Sequence, residues 1–251
     1  EAIDSIEVIR GPAAARYGSG AAGGVVNIIT KKPTDKFSGS VTVYTSQPEH
    51  SEEGDTKRAS FNLSGPVAEN LSFRLFGNVA KTNADDTSLN SHVSDLSLAP
   101  AGREGVRNRD LNGLLRWDLT PQQVLEFEAG TSRQGNIYAG ERLMNSDTNA
   151  ANMQALLGQE TNITHRNTVG LTHRGKWDWG TSRLVVQAEN TRRSQYPVGL
   201  AGGPEGSITS TQPSDMVTSK LANYFLNGEV NTPISLGGQR HMLTSGFEYR
   251  N

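Results

Sequence analysis

The spacing of the polar connections constrains this chain more than any other feature of its sequence. From about residue 36 onward, apolar and polar residues alternate, as Leu71, Phe73 and Leu75 do with Ser72 and Arg74, which is typical of two-faced β-strands. Short and long connections between these runs alternate strictly. The short ones span residues 66–70, 120–123, 177–180 and 232–238, and the long, polar ones span 46–56, 83–105, 134–164 and 194–216. A soluble sandwich has no reason to place every long loop at one end, so the pattern favours an antiparallel β-barrel that crosses a membrane.

The two faces of these runs differ as a membrane barrel requires. We count about nine strands, many close to the roughly ten residues that cross a bilayer in a barrel. Arg74, Arg116, Glu126 and Glu128 alternate with apolar residues. An arginine at the centre of the lipid face costs about 2–4 kcal/mol, so we expect these side chains to face the lumen. Periodicity alone leaves a large soluble all-β protein as an alternative. Aromatic residues expected in girdles at the membrane surfaces are Tyr44, Trp117, Trp177, Trp179, Phe247 and Tyr249.

Composition narrows the possible classes further. The 251 residues include no run near the roughly 18 apolar residues of a membrane-spanning helix, which argues against a helical membrane protein but not against a barrel. The formal net charge of -2 gives no electrostatic footprint for nucleic acid. The absence of cysteine excludes disulfides and thiolate metal sites, and the five histidines lack metal-ligand spacing. Since the chain has no initiator Met and begins inside an amphipathic run, we expect a piece of a longer protein.

The opening segment differs in texture from the rest. Apolar residues at positions 3, 6, 8 and 9 precede a small, glycine-rich stretch, and residues 25–30 form a short β-branched run that predicts a buried strand. Gly18, Gly20 and Gly23 match the spacing of a dinucleotide-binding fingerprint, but that fingerprint needs a helix directly after the glycines. Because a strand pattern follows, we interpret the glycines as allowing tight turns and close packing.

This opening segment also carries a resemblance to a known family. Residues 6–32 read IEVIRGPAAARYGSGAAGGVVNIITKK and closely resemble the end of the plug domain in TonB-dependent receptors. The form GPAAARYG resembles the ferric-enterobactin receptor branch in particular. The similarity continues at residues 57–58, 100–106, 132–140 and 199–203, so that it covers strands and loops along the whole chain.

The resemblance implies an all-β fold: a transmembrane barrel of about 22 strands whose lumen holds an N-terminal plug. Residues 1–34 would be the end of the plug, and residues 35–251 would be the first part of the barrel. The implied location is the outer membrane of a Gram-negative bacterium. The implied function is TonB-dependent import of a ferric catecholate siderophore, with no enzyme activity and no cofactor besides the iron that the siderophore carries. The implied partners are outer-membrane lipid, TonB–ExbB–ExbD through an upstream segment, and toxins of the colicin type that could exploit the receptor.

A ligand site is expected on the long connections. A ferric tris-catecholate carries roughly three negative charges and flat rings, so its capture needs cations and aromatic faces. The candidates are Tyr138, Arg166, Arg133, Arg142, Arg193 and Tyr196. Tyr138 and Arg166 fall where the resembling receptors contact their ligand. Ile163 and Gln195 are departures, since those receptors have arginine there, so another catecholate is a possible cargo. For any single loop arginine, a solvated surface role is the alternative.

A second candidate site joins plug and wall. In the receptors that this sequence resembles, plug arginines pair with glutamates of the barrel wall, so Arg10 and Arg16 are expected to pair with Glu126 and Glu128 as a latch. The alternatives are simple structural docking and, for the two glutamates, acid–base chemistry. Other functions considered are a passive porin, an outer-membrane hydrolase, for which no nucleophile arrangement is visible, and a receptor for another iron chelate or haem.

Overall fold

The chain folds into β-strands joined in two sheets. The structure is a computed structural model that describes residues 3–10, 24–90, 102–140, 156–196 and 213–251. Short 3-10 turns occur at Thr87–Asn90 and Pro213–Asp215. The strands are β1 (Ile3–Arg10), β2 (Gly24–Thr30), β3 (Ser38–Ser46), β4 (Thr56–Ala68), β5 (Leu71–Thr82), β6 (Gly105–Thr120), β7 (Gln123–Ile137), β8 (Glu160–Trp177), β9 (Gly180–Gln195), β10 (Val217–Leu236) and β11 (Gln239–Arg250).

The larger sheet is a continuous antiparallel meander. Strands β3 to β11 lie in sequence order, and each pairs with its neighbours in the chain. This confirms the expectation of about nine antiparallel strands and the all-β fold class. Across the described ranges of the chain, no helix combines the length and the apolar character needed to span a membrane.

Strands β1 and β2 form a separate antiparallel pair. Val8 lies opposite Val26, and the pairing runs from Ile3–Thr30 to Arg10–Gly24. The predicted strand at residues 25–30 is therefore confirmed. An antiparallel pair also argues against a dinucleotide-binding unit, because that unit places a helix after its glycines and joins parallel strands. The glycine-rich stretch itself lies outside the described residues.

One face of the large sheet, here called the apolar face, is covered by exposed apolar side chains. A single row of directly opposed residues crosses seven strands from β5 to β11. Its members are Phe73, Leu115, Phe127, Leu171, Val186, Leu226 and Tyr249. Phe127 is 45% exposed and Val186 is 48% exposed. An apolar surface of this extent is unfavourable in water and indicates an apolar environment on this side.

The opposite face, here called the polar face, carries the charged residues. Arg116 lies opposite Glu126 on β6 and β7, and Arg74 on β5 is 3% exposed. The sequence prediction that these side chains share one face is confirmed by the strand register. The polar face is the one that a barrel turns toward its lumen.

The strands are longer, and the short turns tighter, than the sequence suggested. β8 has 18 residues and β10 has 20, and the connection expected at 232–238 shrinks to Gly237 and Gly238, whose φ angles of 59° and 77° suit a tight hairpin turn. Pro233 lies within β10 and pairs only with β11, because the pairing with β9 ends at Asn231. A proline is tolerated where one side of a strand has no partner.

The aromatic residues expected at strand ends do not all share one face. Trp177 and Trp179 lie at the turn between β8 and β9, and their rings stack with centroids 6.1 Å apart. Phe247 and Tyr249 lie on the apolar face of β11. Tyr44 lies on the polar face, opposite Arg58, so it is not placed to join a lipid-facing girdle.

The segment that leads into β3 is held against the polar face. The Thr34 N–H donates to Ser64 Oγ at 2.9 Å, and the Ser64 hydroxyl donates to the Phe73 carbonyl at 3.1 Å. Ser64 is 2% exposed and belongs to the polar-face positions of β4. The chain therefore enters the large sheet from its polar side, near the short-turn end.

Replacing Ser64 with Ala is expected to loosen this entry segment. Losing a buried hydrogen-bond partner costs about 1–2 kcal/mol, which corresponds to roughly a five- to thirtyfold rise in local opening. Limited trypsin digestion of the intact receptor, followed at the bond after the exposed Lys36, measures this opening. Ser60→Ala, on the same strand and face, is the matched control. Equal cleavage rates in both variants would contradict the anchoring role.

Candidate functional site

Two of the predicted ligand residues meet in a small buried cluster at the long-connection end. Tyr138 directly follows β7 and is 2% exposed, and Tyr196 directly follows β9 and is 7% exposed. Both pack with the buried Leu156, and Leu157 and Met216 lie against them. The Tyr138 N–H donates to the Gln159 carbonyl at 2.9 Å. The tyrosines therefore fix the bases of the third and fourth long connections.

Arg166 and Arg193 lie close together on the polar face. Arg166 on β8 lies directly opposite Thr191 on β9. Arg193 is two residues beyond Thr191 on β9, so Arg166 and Arg193 are diagonal neighbours. Arg166 pairs with Glu189, and its side chain remains 54% exposed. The Arg193 Nε–H donates to Asn162 Oδ1 at 3.0 Å. These two guanidinium groups form a cationic patch at the end of the polar face nearest the long connections.

Arg133 does not join this patch. It occupies the opposite face of the sheet, where it lies between Arg109 and His165. Its guanidinium makes a two-pronged pair with Glu160, with N–O distances of 2.8 and 2.5 Å. This geometry satisfies the cation and turns it away from the polar face. The position of Arg133 therefore does not support the predicted ligand contact. Arg142, another predicted ligand residue, lies outside the described residues.

Gln195 and Ile163, which were expected to depart from the resembling receptors, also lie on different faces. Gln195 is on the polar face opposite Asn162, the residue that accepts from Arg193. Ile163 is on the other face, opposite Ser194. Only Gln195 is thus placed beside the cationic patch, to which it adds a neutral amide.

The bases of the first two long connections are tied together by Asp85. This carboxylate is 8% exposed and accepts from the Gly54 N–H at 2.8 Å and the Arg103 N–H at 2.6 Å. A Cβ at position 54 would meet the Asn83 carbonyl oxygen at 1.8 Å, so only glycine fits there. Hydrogen bonds from Lys57 and from Asn83 hold the pKa of Asp55 below its ordinary value. The ends of both connections are therefore fixed to each other.

The wall glutamate Glu126 is already paired within the sheet. Its two oxygens accept separately from Arg116 at 3.1 Å and from Arg174 at 3.3 Å, and Arg116 also binds Asp118 at 2.8 Å. Glu128 lies two residues further on the same face and forms no ion pair with the described residues. The Arg10 side chain and all of Arg16 lie outside the described residues, so their pairing with these glutamates stays a prediction.

Several partners in this site were not identified from the sequence. Glu189, Asn162 and Glu160 each hold one of the predicted arginines, and Asp85 joins two connections. Residue parity along the strands could have found the first three, had the strands been extended to their full length. In the described ranges, no three His, Asp or Glu side chains come together as a metal site would require.

Comparisons with known proteins agree with this architecture. Residues 1–25 match the family model for the TonB-dependent Receptor Plug Domain. The chain is 54% identical over 252 residues to the ferric enterobactin receptor PirA of Pseudomonas aeruginosa, covering 99% of this chain and 33% of that protein.

Solved structures give the same result. The siderophore receptor PirA from Acinetobacter baumannii matches with a TM-score of 0.88 at 49% identity, over 100% of this chain and 35% of that one. A variant of the ferric enterobactin receptor of Pseudomonas aeruginosa, solved in complex with enterobactin, matches with a TM-score of 0.84 at 49% identity, over 99% of this chain and 36% of that one.

The chain spans about a third of the length of the curated relatives it matches. These relatives are receptors, not enzymes. The similarity extends over the residues that match the plug domain and over the nine-stranded sheet. The apolar face of this sheet is therefore the lipid face of a barrel wall, and its polar face is the lumen face. The chain therefore belongs to the TonB-dependent receptors, in the group that includes the ferric enterobactin receptors, and its large sheet is part of a transmembrane β-barrel in the outer membrane of a Gram-negative bacterium.

Proposed function

We propose that the receptor containing this chain imports a ferric catecholate siderophore of the enterobactin type. The observation that supports this most is the pair Arg166 and Arg193, which are diagonal neighbours on the lumen face below the long connections. Two adjacent guanidinium groups suit an anionic ligand with roughly three negative charges, because charge-assisted hydrogen bonds to them are strong. Relatives that match almost the whole chain are named for ferric enterobactin.

Binding and release, not bond making, would be the work of this receptor. The long connections capture the ligand from outside, and the iron travels within the siderophore, so the protein needs no metal site of its own. The plug then has to move for the ligand to pass. We propose that TonB–ExbB–ExbD supplies the energy through a segment upstream of this chain, and that toxins of the colicin type could use the same outer surface.

The Arg166–Glu189 pair allows a test in which two changes are expected to shift siderophore affinity in opposite directions. Changing Arg166 and Arg193 together to Gln is expected to weaken binding of ferric enterobactin by about ten- to a hundredfold, since each charged hydrogen bond contributes about 1.5–3 kcal/mol and part of this is lost to solvent screening. Changing Glu189 to Gln is expected to strengthen binding, because it frees Arg166 and removes a negative charge. Tryptophan fluorescence of the intact receptor in detergent measures the dissociation constants.

The matched control lies one residue away. Arg192 precedes Arg193 but points to the lipid face, where it lies opposite His165. Arg192→Gln removes the same charge at the same height, so it should leave siderophore binding unchanged. If Arg192→Gln and Arg193→Gln lower siderophore affinity equally, the effect comes from long-range electrostatic attraction and not from contact with Arg193. A ferric hydroxamate or haem that binds more tightly than ferric enterobactin would replace the proposed cargo.

A further inference from the structure

Basic residues replace apolar ones on the lipid face toward the long-connection end. Lys57, Lys81 and Arg107 lie directly opposite one another on β4, β5 and β6. The next row toward the membrane continues with basic residues across five strands. Its members are Arg109, Arg133, His165, Arg192 and Lys220. Both rows have the parity of the apolar face, so they lie on the outside of the barrel just beyond its apolar band.

Acidic residues balance few of these cations. Within the described ranges, Lys57 pairs with Asp55 at 3.3 Å, and Glu160 serves both Arg133 and Arg107, at 2.5 and 3.9 Å. No described carboxylate lies within ion-pair distance of Lys81 or Arg109. Like charges placed directly opposite one another destabilise a sheet. Anions from outside the chain would relieve this repulsion.

The shape of the surface shows what kind of anion fits. A groove of about 600 Å³ lies across β3 to β6, at the junction of the two zones. Val43 and Val79, which are 77% and 57% exposed, line its apolar part together with Ala59. Lys57, Lys81, Arg107 and Arg109 line its charged part. A free inorganic anion would contact only the charged part of the groove, whereas an amphiphile would contact both the charged and the apolar part.

We propose that this groove binds a membrane lipid whose headgroup carries more than one phosphate. Its phosphates lie between the four cations through charge-assisted hydrogen bonds, and its acyl chains lie on Val43, Ala59 and Val79. The long side chains of lysine and arginine can extend along the barrel surface to reach the headgroup level. In the second row, Arg133, Arg192 and Lys220 continue the positive potential along the same leaflet. This lipid contact is independent of siderophore binding, which uses the other face of the wall.

The test removes the four cations from the intact receptor. In the variant Lys57→Gln, Lys81→Gln, Arg107→Gln, Arg109→Gln, native mass spectrometry counts the bisphosphorylated lipid A molecules retained after transfer into phosphatidylcholine vesicles and extraction in detergent. We expect retention to fall by at least about tenfold, because one lost charged hydrogen bond already accounts for a factor of that size. The control variant Lys31→Gln, Lys36→Gln, Lys176→Gln, Arg240→Gln removes four charges near the short-turn end and should retain lipid as the parent does.

Three outcomes would overturn the proposal. Unchanged lipid retention in the four-residue variant would show that these cations do not bind the lipid. Equal retention of a phosphate-free lipid A would show that the contact is apolar adsorption only. Release of lipid A by inorganic phosphate at a matched phosphate concentration would indicate a free-anion site. If the four-residue variant fails to fold, as judged by heat-modifiable mobility, the variant Lys81→Gln, Arg109→Gln repeats the test without touching an ion pair. By the same argument, its retention of lipid is expected to fall by about tenfold.

Discussion

Changing Tyr138 to Ala is expected to lower the free energy of unfolding of the long-connection end by about 3–5 kcal/mol, the usual cost of removing a buried aromatic ring. Tyr138 is 2% exposed and packs with Leu156 and Tyr196. Without its ring, the bases of the third and fourth long connections lose their shared anchor. The binding-competent arrangement then becomes a minor population, and the apparent affinity for the siderophore falls with it, by more than about a hundredfold.

Tyr138→Phe separates packing from direct contact. Because the ring is kept, we expect this variant to retain the stability of the parent. If Tyr138 acts by positioning the connections, its siderophore affinity is also retained. Thermal unfolding and ligand titration of the same samples measure both quantities. A parent-like affinity in Tyr138→Ala would contradict the anchoring role, whereas a loss confined to affinity in Tyr138→Phe would show that the hydroxyl group contacts the ligand.

Changing Glu126 to Ala is expected to destabilise the barrel wall by about 3 kcal/mol. Breaking a buried ion pair by removing one partner costs about 3–5 kcal/mol. The lower value applies because the Arg174 side chain is 50% exposed and can turn to water, whereas Arg116 is 22% exposed. Both arginines would face each other without the carboxylate between them. Denaturant unfolding of the intact receptor in detergent measures the loss.

Glu128→Gln is the matched control for Glu126→Gln. Both changes remove one negative charge from the same face of β7, but Glu126 alone of the two has described ion-pair partners. A loss of stability in Glu126→Gln that is no larger than in Glu128→Gln would mean that net charge, not pairing, sets the effect.

The same variants test the predicted latch. If Arg10 also binds Glu126, the double variant with Arg10→Ala departs from additivity by about 0.5–3 kcal/mol. If Glu126 is satisfied by Arg116 and Arg174 alone, the two changes add. Additivity would therefore contradict a latch at Glu126, and a coupling energy of this size would support it.

The alternation of residue types along the chain is enough to predict the two faces of the wall. An apolar environment on one side and water on the other impose a period of two on every strand that crosses the bilayer. Leu115 and Phe127 on one face, and Arg116 and Glu126 on the other, follow this rule. The alternation of short and long connections is equally local, and it was sufficient to predict about nine strands. The specific string at residues 6–32 then indicated the family.

The lengths of the strands and the partners of the arginines become visible only from the pairing of the strands. Beyond the bilayer both faces of a strand meet water or loops, so the alternation of apolar and polar residues stops. The backbone pairing continues because each strand still satisfies the hydrogen bonds of its neighbour. Residues 134–137 and 160–164 therefore looked like loop, although β7 and β8 extend through them. For this reason Arg133 and Arg166 were predicted to belong to one ligand site, whereas the strand register places them on opposite faces of the wall.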